Sequence, residues 1–113
     1  MKLLTKSITE KLLLNNDAHI NGVEQDPFPV VKFFGGSACT WLATEMDPDS
    51  RIMFGLADLG MGFPELGYFS FEELAGLKFP PFGLPIERDM YFKADKPLSE
   101  YANEARNAQR IMA

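Results

Sequence analysis

Carboxylates are the chain's most plentiful reactive side chains, among them Glu45, Asp47, Asp58, Glu65, Glu87 and Asp89. If Glu45, Asp58 and Glu65 converge, they can hold Mg²⁺ or Ca²⁺ through oxygen ligands, or act as acid and base from two different environments. The plainer role is a set of solvated strand faces with a salt bridge to Arg51 or Arg88, the commoner fate of such residues. Nucleophilic chemistry is poorly supplied. A serine or cysteine needs a base within hydrogen-bond reach, and the chain has one histidine, His19, and one cysteine, Cys39, with no spacing that joins them. His19 reads as a surface residue and Cys39 as a half-buried small hydrophobe. Two such residues are too few for a zinc site, which draws several ligands from Cys and His. The glycines of GMGFPELG lack the G-x-x-x-x-G-K-[ST] pattern and lead into a strand-like stretch, so they read as bends rather than a phosphate cradle. Catalytic residues, a metal and a cofactor are therefore not expected.

The stretch GLPIERDMYF, residues 83–92, places three charges between an apolar loop and an apolar run. Alternation puts Arg88 beside Ile86 and Met90, where a guanidinium needs a carboxylate such as Glu45, Asp58 or Glu65. Arg88 then reads as a structural anchor, with Glu87 and Asp89 on the wetter side. Aromatic residues supply the other candidate surface. Phe79 and Phe82, in the proline-rich KFPPFGLP, are the first choice for an exposed partner contact, with Trp41, Tyr68 and Glu87 as further candidates.

The elements that must position these residues follow from periodicity and punctuation. Ser7–Glu10 reads as a capping box that opens a short helix ending near Asn15-Asn16, and a loop follows in NGVEQDPFP. Residues 29–35 suit a strand. In TWLATEMD, Trp41, Ala43 and Glu45 point one way and Leu42, Thr44 and Met46 the other, and DPDS turns the chain back into RIMFGLAD, with Ile52, Phe54 and Leu56 on its buried face. ELGYFS is a fourth strand, and Ser70–Glu73 caps a short helix near residues 71–77. IERDMYF alternates as a fifth strand. Pro97 opens a last helix whose stripe holds Leu98, Tyr101, Ala102, Ala105, Ala108 and Ile111 or Met112. The expected fold is a single α+β domain over residues 1–113: an antiparallel sheet of four to five strands with the N-terminal and C-terminal helices packed on one face.

Composition narrows the partners. A chain of 113 residues with net charge −5 has no basic excess to attract phosphate backbones, so direct nucleic-acid binding is not expected. One cysteine allows no intramolecular disulfide and fits a reducing, cytoplasmic setting. Lys6, Glu10 and Lys11 interrupt the N-terminal leucines well short of a signal or membrane span, so a soluble, untargeted protein without membrane contact is expected.

The segments VKFF, TWLATEMDP, FGLADLGMGFPELGYFS with the following EEL, and GLPIERDMYF followed by KPLSEY make the chain resemble the domain-of-unknown-function family 2958. These are small bacterial proteins of plasmids and integrative mobile elements. The resemblance implies no catalytic or binding residue. It implies a setting in which anti-defence and host-modulating accessory proteins abound. The expected function is a non-enzymatic protein-interaction module acting on a protein partner. A small carboxylate-based, divalent-metal-dependent enzyme is the first alternative. A nucleic-acid-associated adaptor, which would need Lys32, Arg51, Lys78 and Lys93 on one face, is the second.

Overall fold

Short, turn-rich connections between β-prone runs leave each strand no option but to pair antiparallel with a neighbour. In the computed structural model, which describes residues 2–113, the elements are α1 (Lys6–Ile20), β1 (Val31–Gly35), β2 (Cys39–Met46), β3 (Ile52–Asp58), β4 (Glu65–Ser70), α2 (Phe71–Ala75), β5 (Glu87–Arg88) and α3 (Leu98–Ala108). The strands form one antiparallel sheet in the order β4-β3-β2-β1-β5. The β2–β3 turn is held by Asp47, whose Oδ2 accepts from the N–H groups of Asp49 at 3.0 Å and Ser50 at 2.7 Å. The first helix begins two residues earlier than its capping box suggests: the N-cap is Thr5, whose Oγ1 accepts from Ile8 N–H at 3.1 Å. It also runs past Asn15-Asn16 to Ile20, because the Asn15 amide is spent on the sheet and does not compete with the helical backbone.

The α+β class and the antiparallel sheet are as the sequence suggests, but the two long helices do not share a face. On β2, Trp41 and Ala43 join Val31, Phe33, Met46, Met53 and Leu12 of α1 in one core, while Leu42 joins Leu56, Tyr101, Ala102 and Ala105 of α3 in another. Successive strand residues point to opposite sides, and the central strands are apolar on both. Each side therefore needs its own cover. For the same reason the buried side of β3 is not simply Ile52, Phe54 and Leu56. Met53 is the fully buried residue of its pair, Leu56 is buried under α3, and Ile52 lies partly open.

The register slips between Ala43 and Glu45, where β2 carries an extra residue against β3. Glu45 thereby stands opposite Phe54, on the α3 side, and Met46 opposite Met53, on the α1 side. The alternation read from TWLATEMD inverts at this bulge. Gly55 belongs to it: a Cβ there would lie 1.8 Å from the Leu42 carbonyl oxygen. At the other edge β5 is only two residues long, Arg88 opposite Phe33 and Glu87 opposite Phe34. Asp89 N–H carries the ladder one bond further, donating to the Lys32 carbonyl at 3.0 Å, and Asp89 then turns the chain: its Oδ1 accepts from Tyr91 N–H at 2.9 Å and its carbonyl from Phe92 N–H at 3.3 Å.

Gly55→Ala is expected to cost about 1–3 kcal/mol by overpacking against immovable backbone. Gly67→Ala on β4, where a Cβ meets nothing within 4 Å, is expected to change stability by about 0.5 kcal/mol or less. Urea denaturation of the two variants beside the wild type checks the contrast.

Candidate functional site

β1 accompanies β2 only as far as Val31 opposite Ala43, so Thr44–Met46 run on without that neighbour. The exposed side of the strand is taken up by α1. The Asn15 side-chain amide donates to the Thr44 carbonyl at 2.8 Å in a buried hydrogen bond. One helical turn later, on the same face, His19 Nδ1 lies 2.7 Å from Glu45 Oε1. The bulge makes this second contact possible, since without it Glu45 would point into the α1 core.

Beyond Ile20 the chain forms the wall of a groove. Gln25 Nε2 donates to the Asn15 carbonyl at 2.8 Å. Asp26 caps the start of α3: its Oδ1 accepts from Ser99 N–H at 3.2 Å and its Oδ2 from the Ser99 hydroxyl, while Leu98 N–H donates to the Pro27 carbonyl at 3.0 Å. Phe54, Leu66 and Leu98 line the resulting cavity of about 340 Å³ together with His19, Glu45 and the 23–27 loop. A second hollow adjoins it through His19, Glu45 and Phe54 and reaches Asp47, Ile52 and Tyr68. α3 covers Leu42 and Leu56 and leaves the β4 edge and the Phe54 end of this face open. There Leu66 and Tyr68 are 45% and 66% exposed, and Phe54 meets the Tyr68 ring edge-on at 5.1 Å between centroids. Among the described residues, Glu24, Asp26, Glu45 and Asp47 line the two hollows between them, and no lysine or arginine does. The groove is thus apolar at its floor and negative at its walls, a combination that attracts cations from solution.

The His19–Glu45 pair leaves Nε2 of the imidazole as the free ring nitrogen. A base alone does not make a nucleophilic site. Of the aliphatic hydroxyls lining the two hollows, that of Ser99 is bonded to Asp26, that of Thr44 donates to the Phe54 carbonyl at 3.2 Å and that of Ser50 donates to Asp47 at 2.8 Å, and Cys39 is at the opposite end of β2 from Glu45. Its Sγ lies 3.6 Å from the Leu59 carbonyl, and burial, then the Asp58 carboxylate, push the thiol above its ordinary range. A thiol held protonated is a poor nucleophile.

The three carboxylates considered for a metal or an ion pair are dispersed. Glu45 and Asp58 stand opposite Phe54 and Thr40, four residues of strand apart, about 13 Å. Asp58 is buried and accepts from Gly60 N–H at 2.8 Å and Ile111 N–H at 3.0 Å, which fastens the segment after α3. Glu65 is exposed on β4, opposite Ala57 and hence on the other side of the sheet from Asp58. Among the described residues no group of three or more His, Cys, Asp or Glu is placed to hold a metal ion. Arg88 stands apart from Glu65 in its row and on the other side of the sheet from Asp58. Arg88 shares a cross-strand row with Phe33, Trp41, Ala57 and Glu65, so Glu65 is four strand spacings away, about 19 Å. Asp58 points to the α3 side, and Glu45 is engaged by His19.

The aromatic candidates separate as well. Trp41 is a core residue. Phe79 is half-buried over Gly35 and Gly36, where a Cβ would come within 2.6 and 2.8 Å of its ring, so that glycine pair is its seat. Phe82 is 82% exposed in the turn between Phe79 and Leu84, Glu87 is exposed on the edge strand β5, and Tyr68 lies on β4 at the other edge. Of the five, Tyr68 alone belongs to the groove. The parts that sequence reasoning missed, Asn15, His19, Asp26 and Leu66, are joined by one visible signal: Asn15 and His19 are spaced i, i+4 on a helix.

The family model described as "Protein of unknown function (DUF2958)" matches residues 3–112, and the chain belongs to that family. No curated protein and no solved structure matches it.

Asn15→Ala is expected to lower stability by about 1–3 kcal/mol, since it strands a buried carbonyl. His19→Ala, at an exposed ring, is expected to cost about 1 kcal/mol or less. Chemical denaturation measures both. Cys39 in the native protein is expected to react with iodoacetamide more slowly than free cysteine at mildly alkaline pH, and denaturation to remove the difference.

Proposed function

We propose that this member of the DUF2958 family is a non-enzymatic protein-interaction module whose partner seats in the acidic, aromatic groove between the end of α1, β4 and the first turn of α3. The observation that supports it is the uncovered half of the α3 face, where Ile52, Leu66 and Tyr68 remain exposed around Phe54. Contiguous apolar surface rimmed by polar groups is characteristic of interaction sites. The carboxylates of Glu24, Asp26, Glu45 and Asp47 favour a partner that presents lysine or arginine beside an aliphatic or aromatic anchor. The mobile-element setting suggested by the family resemblance makes a host or defence protein the natural object of such an accessory protein.

The carboxylate-based metal enzyme loses its basis with the dispersal of Glu45, Asp58 and Glu65. The adaptor reading is weakened in the same way. Lys32 lies 3.5 Å from Asp89 and Arg51 lies 3.2 Å from Glu72, so both cations are matched locally, in different parts of the fold.

Affinity capture from a bacterial lysate is expected to return a partner that is lost with Ile52→Ser plus Tyr68→Ala and kept with Phe82→Ala. Its affinity is expected to fall with rising salt, as attraction between opposite charges is screened. Equal capture by wild type and the groove variant would remove this reading.

A further inference from the structure

β4 is an edge of the sheet, and the orientation of its backbone can be read from its register. Phe71 N–H donates to the Arg51 carbonyl directly opposite it, at 3.1 Å. Hydrogen-bonded and non-bonded pairs alternate along an antiparallel ladder, so Phe69, Gly67 and Glu65 bond inward to β3. Leu66 and Tyr68 therefore turn both N–H and C=O outward, and among the described residues no hydrogen bond uses these groups. Exposed edges are usually blunted by lysine, proline or a bulge. Between Glu65 and Ser70 there is none of these, and Gly67 at the centre has open space around it. The other edge, β5, is two residues long.

We propose that the chain self-associates by pairing β4 antiparallel with β4 of a second copy, about a two-fold axis at Gly67. In this register Leu66 lies opposite Tyr68 of the second copy, and each such pair exchanges two backbone hydrogen bonds. Ser70 N–H then meets the carbonyl of Pro64, a residue with no N–H to leave unsatisfied. Leu66 and Tyr68 are on the α3 side of the sheet, so each apolar side chain gains a cross-strand neighbour from the other copy. A second copy fits this edge because one outward-facing set, with Leu66 and Tyr68 in the same register, supplies both halves of an isologous contact. A six-residue edge falls below the usual size of a stable interface, so the dimer is reversible. Net charge −5 on each copy opposes it, and added salt strengthens it. Both readings use Leu66 and Tyr68, and this salt response, the reverse of that expected for a cationic partner, tells the failure of one from the failure of the other.

The test joins sedimentation with cross-linking. The weight-average mass of the wild type is expected to rise from 12.7 kDa toward twice that value with protein concentration and with salt. Leu66→Lys, which places a charge opposite Tyr68, is expected to hold the mass at the monomer value. Gly67→Cys in a Cys39→Ser background brings two thiols together at the axis, where a non-hydrogen-bonded pair has Cα atoms about 4.5 Å apart, within the span of a disulfide. It is expected to cross-link under mild oxidation faster than Phe82→Cys in the same background. A wild type that stays monomeric at high concentration and salt overturns the proposal. So does a dimer that Leu66→Lys leaves intact, or a Gly67→Cys variant that cross-links no faster than Phe82→Cys. If Gly67→Cys does not fold, sedimentation of the wild type and of Leu66→Lys decides alone.

Discussion

The buried hydrogen bond from Asn15 to the Thr44 carbonyl is the constraint on which the rest of the molecule turns. It occurs where β2 has outrun β1, so it satisfies a backbone group that the sheet cannot. A buried carbonyl left without a partner costs about 1–3 kcal/mol, a large share of a small domain's stability. By meeting it with a helical side chain, the protein fixes the position of α1 along the strand. The position of α1 then places His19 against Glu45 and starts the loop that becomes the wall of the groove. One polar contact thus sets both the helix and the site.

The sheet is covered unequally on its two sides. Under α1 the side chains from β1, β2 and β3 close into a core with Phe71, Leu74 and Ile86. Under α3 a smaller cluster seals only one end. That asymmetry follows from helix length and composition: α3 is 11 residues long and carries two alanines at its contact with the sheet, which buys a close approach over a short span. The uncovered remainder is where aromatic and acidic residues meet.

How much of this was legible in the sequence depended on whether the signal was local. The hairpin around DPDS, the cap at Ser70 and Pro97 before α3 are written in adjacent residues, and each forms where expected. The bulge was not legible, because TWLATEMD alternates without a break and only pairing with β3 shows the extra residue. Everything after it in β2 was therefore assigned to the wrong side, Glu45 included. The division of the helices between two faces was missed for a related reason: an apolar stripe shows that a helix needs cover, not which side of a sheet supplies it. Arg88 illustrates a third limit, since its row on the sheet depends on where a two-residue strand docks, and no local pattern encodes that.

The cap on α3 has a kinetic consequence. Pro97 supplies no side-chain bond at the start of that helix; the acceptor for Ser99 N–H is Asp26, 73 residues before Ser99. A helix of 11 residues is marginal in isolation, and closing a loop of this length is entropically slow to be rewarded. The last helix is thus expected to consolidate only after the strands have brought the early loop into place, which makes its docking a late event in assembly rather than a nucleus for it.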